Sequence, residues 1–189
     1  MDALEVLAVQ GSSILKTLLT GPLSIGVLVL VWVVAAIYTL ARRGSRARRM
    51  MAVAMAVTAT IIVVGAQAYS IQPGVEYGIY LEEDKILVRF YMDDEVEYNL
   101  CNTRIEVLDR DKALEMIKIR TNGVYDPSTG VAAGYFKTHD GLDAYIIISG
   151  KSIDKVIVLR GDNGVAIIGL PGVEEAYNKL EKAREDLCS

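Results

Sequence analysis

The chain has 189 residues, 52% of them apolar, a formal net charge of −4 and a mean hydropathy of +0.30. That length allows at most two structural units, and the apolar excess is high for an ordinary soluble domain. The charge is also split: residues 1–70 carry six basic and two acidic side chains, residues 71–189 carry 14 and 22, a net −8 that argues against nucleic acid and anionic lipid head groups as partners of the C-terminal part.

The N-terminal segment "MDALEVLAVQGSSILKTLLTGP" places Leu4, Leu7, Ala8, Gly11, Ile14, Leu15 and Leu18 at helical spacing, with Asp2, Glu5, Ser12, Ser13 and Lys16 on other faces. The spacing predicts an amphipathic helix over residues 1–20. Such a helix would lie on a membrane surface, bind a partner or pack on the C-terminal domain. Gly21-Pro22 ends it and starts the next element.

Two uncharged runs follow, residues 17–41 and 50–75. Each holds a stretch of about 20 apolar residues, the length a bilayer core requires of a helix. The predicted spans are 22–41 and 51–70, within a transmembrane hairpin covering residues 21–71. Two adjacent helices apolar on every face are unusual in a soluble core. A cleaved signal peptide would begin with a basic segment, whereas this chain begins "MDALE". Ala52, Ala56, Ala59, Gly65 and Ala66 give the second span a small-residue face suited to close helix packing.

Between the spans, residues 42–49 carry Arg42, Arg43, Arg46, Arg48 and Arg49, with Lys16 the only competing cation before the first span. Basic residues in short loops stay cytoplasmic. This predicts a multi-pass protein of the plasma membrane, its loop 42–49 in the cytoplasm and its N-terminus and C-terminal domain outside. The arginines act as topology signal and interfacial anchor, with a secondary capacity to bind anionic lipid.

From residue 72 the pattern turns to short β-rich runs: 76–83, 85–92, 95–100, 104–108, 115–121, 143–149, 154–160 and 165–169. Tight turns are predicted at Glu83-Asp84 and at "GDNG" (161–164), and Asp109 or Asp111 suits the N-cap of a short helix near Ala113–Ile117. Pro171-Gly172 precedes a helix over 172–187 with one apolar stripe: Val173, Ala176, Tyr177, Leu180, Ala183 and Leu187. Residues 72–189 form a unit large enough for its own core.

Within residues 120–180, the segment holding Gly123, Gly130, Gly134, Tyr135 and Phe136 precedes two strands, a turn, a strand and a closing helix. This order resembles the PH-like (pleckstrin-homology-type) domains of membrane-anchored bacterial and archaeal proteins. The resemblance covers about a third of the chain, and residues 76–119 follow it only in strand order. It implies an antiparallel β-barrel or sandwich with a C-terminal helix, used as a binding or assembly module, and no catalysis. The expected fold class is therefore membrane-anchored α+β. The first hairpin turn holds "EED" (82–84) where phosphoinositide-binding relatives are basic, which argues against that ligand.

Catalytic chemistry is thinly supported. The single histidine, His139, sits in a Gly/Asp turn, and one histidine with two distant cysteines does not make a zinc site. Glu82-Glu83-Asp84, Asp93-Asp94-Glu95, Asp109 with Asp111, and Asp140 with Asp143 match no calcium-loop pattern and read as solvated turns, leaving room only for a weak external Ca²⁺ site. No cofactor is expected. Cys101 and Cys188 would pair in an oxidising compartment, closing a loop worth about 4 kcal/mol. Tyr125, Tyr135 and Phe136 are candidates for a partner-binding lip, packing within the core or rim being the plainer role.

The expected function is a non-enzymatic extracytoplasmic module that engages a protein partner, other membrane subunits or a second copy of itself. The alternatives are a sensor of a small ligand or ion, and, further off, an envelope hydrolase using carboxylates such as Asp126, Asp140 and Asp143.

Overall fold

The computed structural model describes residues 4–41 and 46–188. In chain order the elements are β1 (Leu4–Gln10), α1 (Gly11–Leu19), α2 (Pro22–Ala41), α3 (Arg46–Ser70), β2 (Glu76–Glu82), β3 (Lys85–Tyr91), β4 (Asp94–Asn99), β5 (Arg104–Asp109), α4 (Arg110–Leu114), β6 (Ile117–Asp126), β7 (Val131–Thr138), β8 (Asp143–Ser149), β9 (Lys155–Gly161), β10 (Gly164–Gly169) and α5 (Val173–Leu187). The architecture is α+β: a four-stranded sheet in the order β1-β2-β3-β4, a six-stranded sheet in the order β5-β9-β10-β8-β7-β6, and a C-terminal helix.

The N-terminal segment differs from its sequence pattern. Its first half is a strand, and the helix begins only at Gly11. A short apolar run fits both periods, and here pairing with β2 decides. β1 buries Val6 and Leu7, and runs so close to β2 that a methyl group at Gly78 would sit 1.9 Å from the Leu7 carbonyl oxygen. α1 then buries Gly11, Ile14 and Leu18, its first amide donating to the Val75 carbonyl at 2.8 Å.

Two-residue turns shape the four-stranded sheet. Met92 and Asp93 both have positive φ, the backbone a tight antiparallel hairpin needs, and Glu83 does the same between β2 and β3. The sheet is antiparallel throughout.

The six-stranded sheet is mixed, which corrects the expected wholly antiparallel arrangement. β10 pairs antiparallel with β9 but parallel with β8, Val165 opposite Ala144 through Gly169 opposite Ile148. Central strands of this kind are covered on both faces, and their sequences are apolar without alternation: "AYIII", "VIVL" and "VAIIG". One face, with Ala133, Ile147, Ile157, Leu159, Ala166 and Ile168, packs on the four-stranded sheet. The other, with Ala132, Ile146, Ile148, Val156, Val158 and Ile167, packs with Ala113 of α4 and with Leu108, Leu114, Met116 and Ile117. α5 lies along β1, β5 and β9, so it closes the side of the sandwich where both sheets present an edge. Its stripe buries Val173, Ala176 and Leu180.

α2 and α3 run antiparallel beside each other. Gln67 Nε2 near the end of α3 donates to Ser24 Oγ near the start of α2 at 2.9 Å, and Ser24 Oγ donates to the Leu18 carbonyl at 2.9 Å. Ala52 and Ala56 are buried. Most of the remaining side chains of both helices are apolar and exposed, among them Val29, Leu30, Trp32, Val33, Val34, Ile37, Ile61 and Ile62. Among the described residues, Met50–Tyr69 is long and apolar enough to cross a membrane, with mean hydropathy 2.0; α1 and Ser24–Tyr38 reach the same criterion only together, bent by 49°.

Both helices meet the β domain at the same end. A methyl group at Gly21 would lie 2.2 Å from Thr129 Cγ2 and 3.2 Å from Asp126 Oδ2, and Ile71, just past α3, is fully buried. Ala41 and Arg46, the opposite ends of α2 and α3, therefore lie at the far end of the helices, about 30 Å away for 20 residues at 1.5 Å each.

Candidate partner-binding edge

Among the described residues, β6 forms one edge of the six-stranded sheet and pairs only with β7. It is ten residues long, and the sequence pattern marks a strand only over its first half, with none from 122 to 142. The glycines are there for a close approach: a methyl group at Gly123 would be 2.2 Å from the Ala133 carbonyl oxygen, and Gly123 and Gly134 face each other with φ of 121° and 135°. The glycine-containing stretch is thus a hairpin, with β7 the strand that sequence pattern alone missed.

The register sorts the aromatic candidates onto two faces. Arg120 is opposite Phe136 and Tyr125 opposite Ala132, whereas Asn122 is opposite Tyr135. Tyr125 and Phe136 come together with Leu114, Ile117, Lys118, Ile119 and Arg120 around a groove of about 230 Å³. Tyr125 is 46% exposed and Ile119 58%, while Phe136 forms the buried floor. Tyr135 points to the other sheet. Its hydroxyl donates to Asp94 Oδ2 at 2.5 Å and its ring meets Phe90 edge-on at 5.0 Å. Burial and the Asp94 carboxylate both push the Tyr135 hydroxyl well above the usual phenol range.

Two cations, Lys118 and Arg120, line the groove. Lys85, Arg89, Arg104, Arg110, Lys112, Lys137, Lys155, Lys179 and Arg184 each pair with a carboxylate. Among the described residues of this net acidic domain, Lys118 and Arg120 have no ion-pair partner within 4.0 Å, and neither do Lys151, Arg160 and Lys182; only Lys118 and Arg120 are near neighbours on one strand. The sequence signal was "IKIRT": cations alternating with isoleucines on a strand that no later strand covers.

The other candidates lie elsewhere. Cys101 and Cys188 are bonded, their Cα atoms 5.5 Å apart, so the end of α5 is tied to the loop after β4. Arg42 and Arg43 fall outside the described residues, and Arg46, Arg48 and Arg49 lie in the first turn of α3. His139 follows β7, its backbone amide donating to the Met116 carbonyl at 3.0 Å. Asp143 pairs with Lys137 at 2.6 Å. Asp126 is buried in the β6–β7 turn; burial alone would raise its carboxyl, but hydrogen bonds from Ser128 and Thr129 outweigh that and hold it below the ordinary carboxylate range. Asp140 and Asp143 belong to the β7–β8 connection, whereas Asp126 lies at the opposite end of β7, beside Gly21. Among the described residues no three His, Cys, Asp or Glu side chains could together hold a metal ion. A second groove, about 390 Å³ and almost wholly apolar, runs between α2 and α3, lined by Leu30, Val34, Tyr38, Met55 and Ala59 among others.

Comparison with protein-family models, with curated proteins and with solved structures gives no match for this chain.

Proposed function

We propose that the chain is a membrane-anchored module, its α2–α3 pair spanning the bilayer as a hairpin and its β domain outside the cell binding a protein partner. One observation carries this reading. α2 and α3 leave large apolar side chains exposed along their length, while the β domain they support buries its own apolar residues in two packed cores. Water does not tolerate an apolar surface of that extent, and lipid does.

Two further features support the orientation. Arg46 at the start of α3 and the β domain are at opposite ends of the helices, so a cytoplasmic 42–49 puts the domain outside. The Cys101–Cys188 bond suits an oxidising exterior. The PH-type resemblance contributes its packed sheets and closing C-terminal helix. The parallel β8–β10 pair departs from that pattern, and the binding role does not depend on it.

The test has two parts. Alkaline carbonate should leave the chain in the membrane pellet, and protease added to intact cells should digest the domain. Chemical crosslinking in native membranes should then give discrete adducts larger than the monomer. Release by carbonate, protection of the domain, or recovery of the monomer alone would each defeat the proposal.

A further inference from the structure

Resting on the binding reading above, we infer that β6 is a strand-accepting edge whose occupant is an extended, acidic and apolar segment of a neighbouring membrane protein. An edge strand leaves every second backbone N–H and C=O without a partner, and an added strand satisfies them while its alternate side chains fill pockets. β6 offers ten residues of such backbone, with Lys118 through Asn122 all exposed.

The other sheet edges are better covered. β1 and β5 lie against α5. On β4, Asn163 Nδ2 donates to the Glu97 carbonyl at 2.6 Å, and Glu97 and Glu95 already pair across the strand with Lys85 and Arg89. β6 combines an open backbone with exposed Tyr125 on the face of Phe136 and exposed Ile119, opposite Lys137, on the other, which suits apolar side chains at alternate positions.

Charge selects the partner. Lys118 and Arg120 stand two residues apart on the exposed edge with no carboxylate within 4.0 Å among the described residues, so an acidic strand supplies what they are missing. The same two cations, brought against their own copies, work against pairing of β6 with a second β6. Direction favours a membrane protein: β6 ends at Asp126, beside Gly21 at the head of α2, so a strand lying along it is led to the bilayer surface.

The experiment uses the full chain in nanodiscs and, as probe, a fluorescent peptide alternating Glu and Val. We expect saturable binding and slowed hydrogen exchange confined to β6 and its neighbours. Lys118→Glu with Arg120→Glu should weaken binding about tenfold or more. Alternate N-methylation of the peptide should abolish it. Binding by the N-methylated peptide, or protection elsewhere than β6, would overturn the inference. So would a salt-resistant dimer of the chain through β6 that the peptide does not displace. In membranes, a photocrosslinker at Ile119 should give an adduct that Lys118→Glu/Arg120→Glu removes. Adducts from positions on other faces but none from Ile119 would sink this inference and leave the binding module standing; none from any position would sink both.

Discussion

Single residues set the junction between helices and domain. Gly21 has no room for a methyl group beside the buried Thr129, whereas Gly26 and Gly65 have nothing within 4 Å of the same position. Gly21→Ala should therefore lower stability by about 1–3 kcal/mol through overpacking, and Thr129→Ser in the same chain should restore most of it. Gly26→Ala and Gly65→Ala should cost nothing in thermal unfolding. Equal melting of all the alanine variants would show that the junction is not packed this way. Asp126 in the same turn makes a pH prediction. Its carboxyl is held below the usual range in the folded state, so it adds stability above its unfolded pKa, and that contribution is lost as pH falls through the folded value. On acidification the native chain should lose more stability than Asp126→Asn; parallel losses would remove Asp126 as the cause.

At the scale of elements, two ties hold the domain shut. The Cys101–Cys188 bond closes 87 residues of sequence separation, so Cys101→Ser/Cys188→Ser should reduce stability by about 4 kcal/mol, read as a lower denaturation midpoint. A midpoint unchanged by reduction would contradict this. β1 is the other tie. It pairs with β2 and lies along α5, so residues 72–189 are not a complete unit, contrary to the boundary that composition suggests. Removing residues 1–10 should expose the amides of β2 to fast hydrogen exchange and favour aggregation through the bared edge. A truncated chain with native protection over Glu76–Glu82 would show β1 to be dispensable.

The whole molecule is proposed to be oriented by charge. With Arg42, Arg43, Arg46, Arg48 and Arg49 all changed to Asn, the cytoplasmic bias of the segment is gone. A cysteine replacing Asn163 in the exposed β9–β10 turn should react with a membrane-impermeant maleimide on intact cells in the native background, and in a smaller fraction of chains once the arginines are removed. Equal labelling in both backgrounds would mean that something other than the arginines sets orientation.

Much of this was readable along the chain because the signals were local. The uncharged runs, the arginine cluster, the stripe of α5, the turn at Glu83 and the runs that became β2 to β5 all follow from composition and period within a few residues. What failed to show was long-range. β1 carries a pattern compatible with a helix until β2, some 70 residues on, offers it a partner. The glycines of β6 and β7 look like loop until Gly123 meets Gly134 and the two backbones pack closely. The parallel placement of β10 beside β8 depends on which strands find one another, and the apolar runs mark them only as buried on both faces. The candidate site belongs to this second class: isoleucines and cations at 117–120 become an edge only because the sheet ends there, and Tyr125 and Tyr135 part company because strand register turns them to opposite faces. Hydrophobic period and charge are properties of neighbours in sequence; pairing, register and which strand is last are properties of contacts that only the folded chain can make.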